Sequence, residues 1–328
     1  MKILCQSYNN DLVNRYVFNI YPKSFKVYNL NLKNLILYGQ NIAHLHWPES
    51  LLNEKKYFLF FLKLINFSLI IFLIKIKRIK CVWTVHNLKP HDLTANTKFI
   101  DFYYNFLIKI TDGFIFLSKS SEKSFRDSHN IPKSKEAIII PHPLYEKEYN
   151  LEKGIINPFK SESYFLMFGN FRSYKNTKRF LTFIAETNVN VLFAGKFFEK
   201  GDLDFIKNLS KKNKHIKYVN KFLTQNELNS LIYNSKGILI PYKIPLNSGV
   251  VFHSISFQKR VFLNNNNDIS DIEENFKKFI LKMDLKDFQN NMKNLKEDYY
   301  DSFLDEKLFK KYNDDVKIYH DLFFKKIL

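Results

Sequence analysis

The sequence predicts an α/β protein built on parallel sheets, and three observations carry that prediction. Short apolar runs alternate with longer helix-like stretches from one end of the 328 residues to the other. The runs fall into two series, and the stretch 151–163 between them, with Gly154, Pro158 and no clear period, reads as a linker. At roughly 150 residues per domain the length fits two domains. The boundaries are expected at 1–155 and 160–328, with the option that the final helix packs back on the first domain.

In the first series the strand segments are 2–6, 25–29, 42–46, 79–86, 114–118 and 137–140. The start, Met1-Lys2-Ile3-Leu4-Cys5-Gln6, returns to polar residues after three apolar ones, so no secretory apolar region is expected there. Tyr57 to Ile74 is more demanding: only Lys63, Asn66 and Ser68 are polar in it. As a helix it would cover roughly 27 Å, just short of a hydrocarbon core of about 30 Å. A helix buried between a sheet and its neighbours is the first reading. A helix whose outer face touches a membrane is the second, in line with the flanking Lys55-Lys56 and Lys75-Ile76-Lys77-Arg78-Ile79-Lys80, and a true span is the third. The second series has strands at 164–168, 189–194, 216–219, 237–241 and 261–263, and Thr224 with Glu227 forms a capping-box pattern before Leu228 and Leu231. After about residue 270 the sequence reads as a charged helical tail carrying Phe276, Phe279, Leu281 and Met283.

With 45% hydrophobic and 25% charged residues, disordered and fibrous classes are excluded. The net charge of +19 points to an anionic partner: nucleic acid, phosphorylated small molecules or an acidic membrane face. Only six of the 51 cations are arginine, and Lys, Asn, Ile and Phe abound as in a chain encoded by an AT-rich genome, so part of the charge is drift. Arginine suits bidentate phosphate contacts, which singles out Arg172 in a structured loop. Nucleic acid is not expected as a partner, because aromatic and basic residues are not interleaved on one recognition element and no helix-turn-helix, zinc or OB pattern appears. Cys5 and Cys81, far apart inside apolar runs, fit reduced core thiols and a cytoplasmic setting.

Ligands of open α/β sheets collect at the carboxyl ends of strands, and three segments bring chemistry there. His44-Leu45-His46-Trp47-Pro48-Glu49 ends the third strand, and Trp83-Thr84-Val85-His86-Asn87, followed by His91 and Asp92, ends the fourth. His44 and His46 share a strand face. A metal site and ordinary strand-end histidines are both readings of that pattern, and no metal is assigned. In Phe168-Gly169-Asn170-Phe171-Arg172-Ser173-Tyr174-Lys175 a strand delivers a guanidinium and an ammonium suited to a diphosphate, the alternative being a solvated basic loop. In Pro241-Tyr242 through Asn247-Ser248-Gly249-Val250 a helix opens on small residues, presenting free N–H groups to an anion unless Asn247 or Ser248 simply caps it. Neither a Walker lysine motif nor G-x-G-x-x-G is present.

Together these segments resemble bacterial glycosyltransferases of the GT-B fold, near glycosyltransferase family 4, of the type that builds capsule, O-antigen or exopolysaccharide repeat units. The resemblance covers most of the chain. It implies two Rossmann-like domains with a cleft between them, a nucleotide-sugar donor held mainly by the second, an acceptor held mainly by the first, and catalysis without metal. Arg172 and Lys175 match the pair that neutralises the donor diphosphate, and Ser248, Gly249 and Val250 match the helix start that binds the same group. Gly169 and Tyr242 lie in the matching donor segments. His86 matches the first-domain histidine that contacts the transferred sugar or takes part in proton transfer. The chain departs from the pattern where many relatives carry two glutamates, at Pro245 and His253; His253 is kept in the donor set. It departs again at Tyr8-Asn9-Asn10-Asp11, where a glycine-rich loop is usual, and at Gln258 and Arg260, where glycine and proline are common.

The expectation is transfer of a sugar from a nucleotide donor to a hydroxyl of a lipid-linked saccharide, by a peripheral protein on the anionic cytoplasmic face of the membrane. If the reaction inverts, a base must reach the acceptor hydroxyl, and His86, Glu49 and Asp92 are the candidates. If it retains, His86 positions the sugar. The missing glutamates motivate an alternative: a catalytically silent homologue acting as partner subunit or saccharide-binding module.

Overall fold

The computed structural model describes residues 1–6, 16–54, 56–87, 97–145, 157–160, 162–243, 248–272, 274–284 and 305–328. They divide into two compact units, Met1–Pro143 with Lys311–Leu328, and Leu144–Ile244 with Ser248–Lys310. Most of the linker expected at 151–163 lies outside the described residues.

The first unit holds β1 (Lys2–Cys5), α1 (Tyr16–Asn19), β2 (Lys26–Asn29), α2 (Leu32–Leu37), β3 (Ile42–His46), α3 (Tyr57–Ile76), β4 (Lys80–Val85), α4 (Thr97–Ile110), β5 (Gly113–Phe116), α5 (Lys119–Ser128) and β6 (Glu136–Ile139). Its six strands are parallel in the order β2-β1-β3-β4-β5-β6. The strand order reverses between β1 and β3, which makes the carboxyl ends of these strands and of β4 the place for a ligand. Two helix starts are fixed by their own side chains, α2 by Asn31 and α5 by a reciprocal bond between Ser118 and Ser121. The core centres on Trp83, ringed by Tyr104, Phe114 and Phe125 at 5.5–6.0 Å between centroids.

The second unit holds β7 (Phe165–Phe168), α6 (Thr177–Ala185), β8 (Val191–Ala194), α7 (Lys200–Lys212), β9 (Ile216–Val219), α8 (Gln225–Asn234), β10 (Gly237–Ile240), α9 (Gly249–Ser256), β11 (Arg260–Asn264), α10 (Glu274–Lys277) and β12 (Ile280–Met283). The order β12-β11-β10-β7-β8-β9 is that of a Rossmann sheet, with its switch point between β7 and β10. The expected capping box forms at α8: Glu227 N–H donates to Thr224 Oγ1 at 3.3 Å, and Thr224 N–H donates to the Glu227 carboxylate at 2.9 Å. The last helix, α11 (Glu306–Ile327), belongs to the first unit from Lys311 onward. There Phe323 and Ile327 lie over Gly113, where a Cβ would stand 3.0 Å from the Phe323 ring. Tyr312 donates its hydroxyl to the His142 carbonyl at 2.9 Å.

Two expectations are corrected. The region after residue 270 is not helical throughout: one turn of helix is followed by β12, paired with β11. Ile280 and Met283 turn inward while Lys282 points out, and four residues among lysines are too few to display a strand period. The second correction concerns α3. Only Phe67, Ile70, Ile71 and Ile74 are buried, whereas Tyr57, Phe58, Phe61, Ile65 and Phe72 are each more than half exposed. Its apolar residues surround the whole helix, and the sheet covers one stripe of it. By length and composition α3 also suffices to cross a membrane.

Candidate functional site

In the first unit β3 and β4 are neighbours, so their carboxyl ends bring the predicted residues together. His46 ends β3, and its Nδ1 lies 3.0 Å from Nε2 of His86, which follows β4 directly. Trp47 adopts a left-handed backbone (φ 51°), a strained conformation for a bulky residue. It stacks the indole on the His86 ring at 4.0 Å and 16°. Glu49 is buried on the turn that follows, held by Asn87 Nδ2 donating to Oε1 at 2.8 Å. Its other oxygen has no partner among the described residues. Burial pushes the Glu49 carboxyl up to about 7, against the opposing pull of the Asn87 hydrogen bond. The same cause, burial, holds His86 well below the usual imidazole range. The site thus presents a neutral imidazole and a carboxyl that titrates near neutrality. Asp92 and His91 lie outside the described residues.

Sequence reasoning missed the deeper members of this group. Tyr21 bonds to His44, Thr84 bonds to His44 from the next strand, and Tyr16 meets both His86 and His142 edge-on at 4.8 and 5.0 Å. Tyr16 and Tyr21, on α1 and just after it, carry no motif, and Thr84 meets His44 only because β3 and β4 pair. Among the described residues no three His, Cys, Asp or Glu side chains form a group able to hold a metal ion.

In the second unit the site gathers at the switch point. Lys175 is 3% exposed. Its Nζ donates to the Phe168 carbonyl at 3.2 Å and lies 5.0 and 5.2 Å from the Tyr242 and Phe171 ring centroids. Gly169, at φ +92°, keeps the loop close to that amine. Burial first, and the nearby Arg172 second, lower the Lys175 ammonium to about 7. The Arg172 guanidinium lies 4.2 Å over the Phe198 ring, a contact that orients its plane. Tyr242, at the end of β10, also meets Tyr174 edge-on at 5.8 Å, so the loops after β7 and β10 touch.

Ser248 precedes α9 but makes no side-chain cap, which leaves the first N–H groups, those of Gly249 and Val250, without that partner. Residues 244–247, between Tyr242 and this helix start, are outside the described set. His253 is turned inward. Its Nε2 bonds to Asn229 Oδ1 at 2.8 Å, and its ring stacks on Tyr145 at 4.4 Å, in a packing role within the unit. One further residue escaped the sequence reading. Gly195, at φ +146° after β8, passes so near the Gly169 backbone that a Cβ would lie 2.8 Å from the Gly169 carbonyl carbon.

The sequence matches no protein-family model and no curated protein. Solved structures do resemble it. Anabaena Alr3699/HepE in complex with UDP aligns over 99% of each chain, with a TM-score of 0.64 at 10% identity. OtsA without ligand gives 0.58 at 12% identity, over 90% of this chain and 74% of that one. Sucrose-phosphate synthase from Thermosynechococcus elongatus gives 0.55 at 13%, over 87% and 71%. The fold is GT-B. In a GT-B chain the second sheet has the dinucleotide-type strand order, and here its switch point is where Gly169, Arg172, Lys175 and Tyr242 stand.

Proposed function

We propose that the chain is a glycosyltransferase that carries a sugar from a nucleotide donor to a hydroxyl of a lipid-linked saccharide, in surface-polysaccharide synthesis of the capsule or O-antigen type. The observation that carries this reading is the buried Lys175 beside Arg172, at the β7–β10 switch point of a GT-B sheet. An ammonium desolvated among two aromatic rings and a carbonyl is a poor resting place for charge and a good receiver for a diphosphate. HepE was solved with UDP and with UDP-glucose, which supports a nucleotide-sugar as the donor class. As the leaving diphosphate gathers charge, Arg172, Lys175 and the N–H groups of Gly249 and Val250 meet it, and no metal is assigned. His86 serves as the base for the acceptor hydroxyl, with Glu49 next in order.

A thermal-shift panel with UDP, GDP, TDP, CMP and ADP tests the donor site. A base-selective rise is expected; no rise with any of them shifts the reading to a catalytically silent homologue. The low Lys175 value adds a pH signature. Folded Lys175 is neutral between about 7 and the ordinary lysine value of 10.5, where the unfolded chain is still charged, so this group's contribution to stability rises with pH across that window. A bound diphosphate restores the charge. Binding at pH 8 is therefore expected to take up close to one proton, with affinity falling by up to about tenfold per pH unit above 7. Calorimetry in buffers of different ionisation heat reads this directly. Heat independent of buffer would show that Lys175 keeps its protonation state.

The membrane part of the proposal is supported by α3. Its exposed Phe58, Phe61, Ile65 and Phe72 form an apolar face that the unit leaves uncovered, and Lys56, Lys77 and Arg78 flank its two ends. Such a face with basic ends suits the interface of an anionic bilayer and supports the reading of a peripheral protein acting on a lipid-anchored acceptor at the cytoplasmic side. Phosphatidylglycerol vesicles at low salt are expected to bind the purified protein, and phosphatidylcholine vesicles to bind it far less. Phe58→Asp with Phe72→Asp is expected to weaken binding more than about tenfold, since burial of one such ring contributes about 1.5–3 kcal/mol. Indifference of the unmodified protein to anionic vesicles would remove this part of the proposal.

A further inference from the structure

The first unit contains a chain of hydrogen bonds that the proposed reaction has not yet used. His44 Nε2 lies 2.8 Å from Thr84 Oγ1, and His44 Nδ1 lies 2.7 Å from the Tyr21 hydroxyl. The same hydroxyl lies 3.5 Å from His46 Nε2, and His46 Nδ1 lies 3.0 Å from His86 Nε2. His44 and His46 are fully buried, and His86 is nearly so.

The lengths of these contacts favour one placement of the protons along the chain. Burial above all keeps His44, His46 and His86 neutral near pH 7, each well below its ordinary range, so each ring carries one N–H. The groups around them add no positive charge to offset that. His320 approaches His44 to 6.4 Å between ring centroids, His142 and Tyr16 pack near His86, and the Cys5 side chain hydrogen-bonds to Tyr21. Of the two ring contacts of the Tyr21 hydroxyl, the 2.7 Å one to His44 is far shorter than the 3.5 Å one to His46, which assigns the phenol's one proton to His44 rather than to His46. Tyr21 therefore donates to His44 Nδ1, and the His44 proton sits on Nε2, directed at Thr84. With its proton committed, Tyr21 can only accept from His46, which places the His46 proton on Nε2 and leaves Nδ1 bare. Two bare nitrogens do not hold each other at 3.0 Å, so His86 donates from Nε2.

We propose that His46 is a positioning residue for His86: it accepts the Nε2 proton of His86 and locks that ring in the tautomer whose Nδ1 presents a lone pair. No described residue hydrogen-bonds to that Nδ1. This inference rests on the reading of His86 as the acceptor base. In that step Nδ1 takes the hydroxyl proton while the hydroxyl oxygen bonds to the anomeric carbon. The bond from that carbon to the diphosphate oxygen breaks, and its electron pair leaves with the nucleoside diphosphate. The new imidazolium keeps its Nε2–H on His46, which stabilises the charge as it forms.

The test is long-range proton–nitrogen NMR on the full chain labelled with nitrogen-15 in histidine, with His86→Asn to assign the signals. In the unmodified protein His86 is expected to show a protonated Nε2 and a bare Nδ1 at neutral pH. His46→Phe is expected to give averaged signals from both tautomers, and His46→Gln, whose amide oxygen still accepts, to restore the lock. Should His46→Phe not fold, Tyr21→Phe removes the acceptor for His46 Nε2 and is expected to loosen the lock while keeping the ring. A protonated Nδ1 in the unmodified protein, or His86 signals indifferent to both substitutions, overturns the inference. Neither donor nor acceptor is needed, so the two readings fail separately. A locked tautomer without sugar transfer removes the proposed function alone, and transfer with the other tautomer removes the lock alone.

Discussion

Arg172→Ala is expected to cut the nucleotide-induced rise in melting temperature to less than about half. At a ligand concentration 100 times Kd, binding stabilises the native state by about 2.7 kcal/mol, a rise of roughly 5–10 °C for a unit of this size. A charge-assisted hydrogen bond to phosphate contributes about 1.5–3 kcal/mol, so its removal weakens binding by roughly 10- to 150-fold. At the same ligand concentration the stabilisation then falls to about 0.3–1.4 kcal/mol. The guanidinium is stacked over Phe198, so its plane is set before the anion arrives, and Arg172→Lys is expected to recover only part of the loss because an ammonium lacks the fork. A full rise in Arg172→Ala would remove Arg172 from the donor site.

Gly195→Ala is expected to destabilise the second unit by about 2–6 kcal/mol, read as a lower midpoint in urea. Two penalties combine. Its backbone, at φ +146°, is strained for any residue with a side chain, which costs about 1–3 kcal/mol. The added methyl also overlaps the Gly169 carbonyl group, which is backbone and tied to β8 by Gly169 N–H donating to the Ala194 carbonyl at 3.1 Å, so relief requires moving the β7 loop at a further cost of about 1–3 kcal/mol. That loop leads to Arg172 and Lys175. A variant that still folds is therefore also expected to bind nucleotide less tightly, whereas unchanged urea midpoint and affinity would mean the loop yields freely.

The strands were legible because each is an apolar run between polar turns, and eleven of the twelve among the described residues stand where the runs fall. β12 was not, because Ile280-Leu281-Lys282-Met283 follows apolar residues at helical spacing and its alternation lasts only four residues. The apolar content of α3 was plain, but a count of apolar residues does not say how many sides of a helix have a neighbour. At the sites, strand-end residues such as His46, His86, Arg172 and Lys175 announced themselves. Tyr21, Thr84 and Gly195 did not, since each matters through a partner on another strand or loop. Glu49 was readable as a candidate, whereas its near-neutral titration depends on burial that only the packed unit reveals.

The return of α11 to the first unit bears on how the chain folds as it is made. Gly113, Tyr21 and His44 are partnered by Ile327, Phe323 and Phe324, yet the whole of the second unit is translated in between. At about 5–20 residues per second, the roughly 185 residues after Pro143 take on the order of 10–40 s to emerge. For that interval the first unit has its six strands but an open flank beside the buried histidines, offering apolar surface to a chaperone or to a neighbouring nascent chain. The second unit includes no residue from beyond Lys310, so all of its own chain has emerged before the first unit is complete.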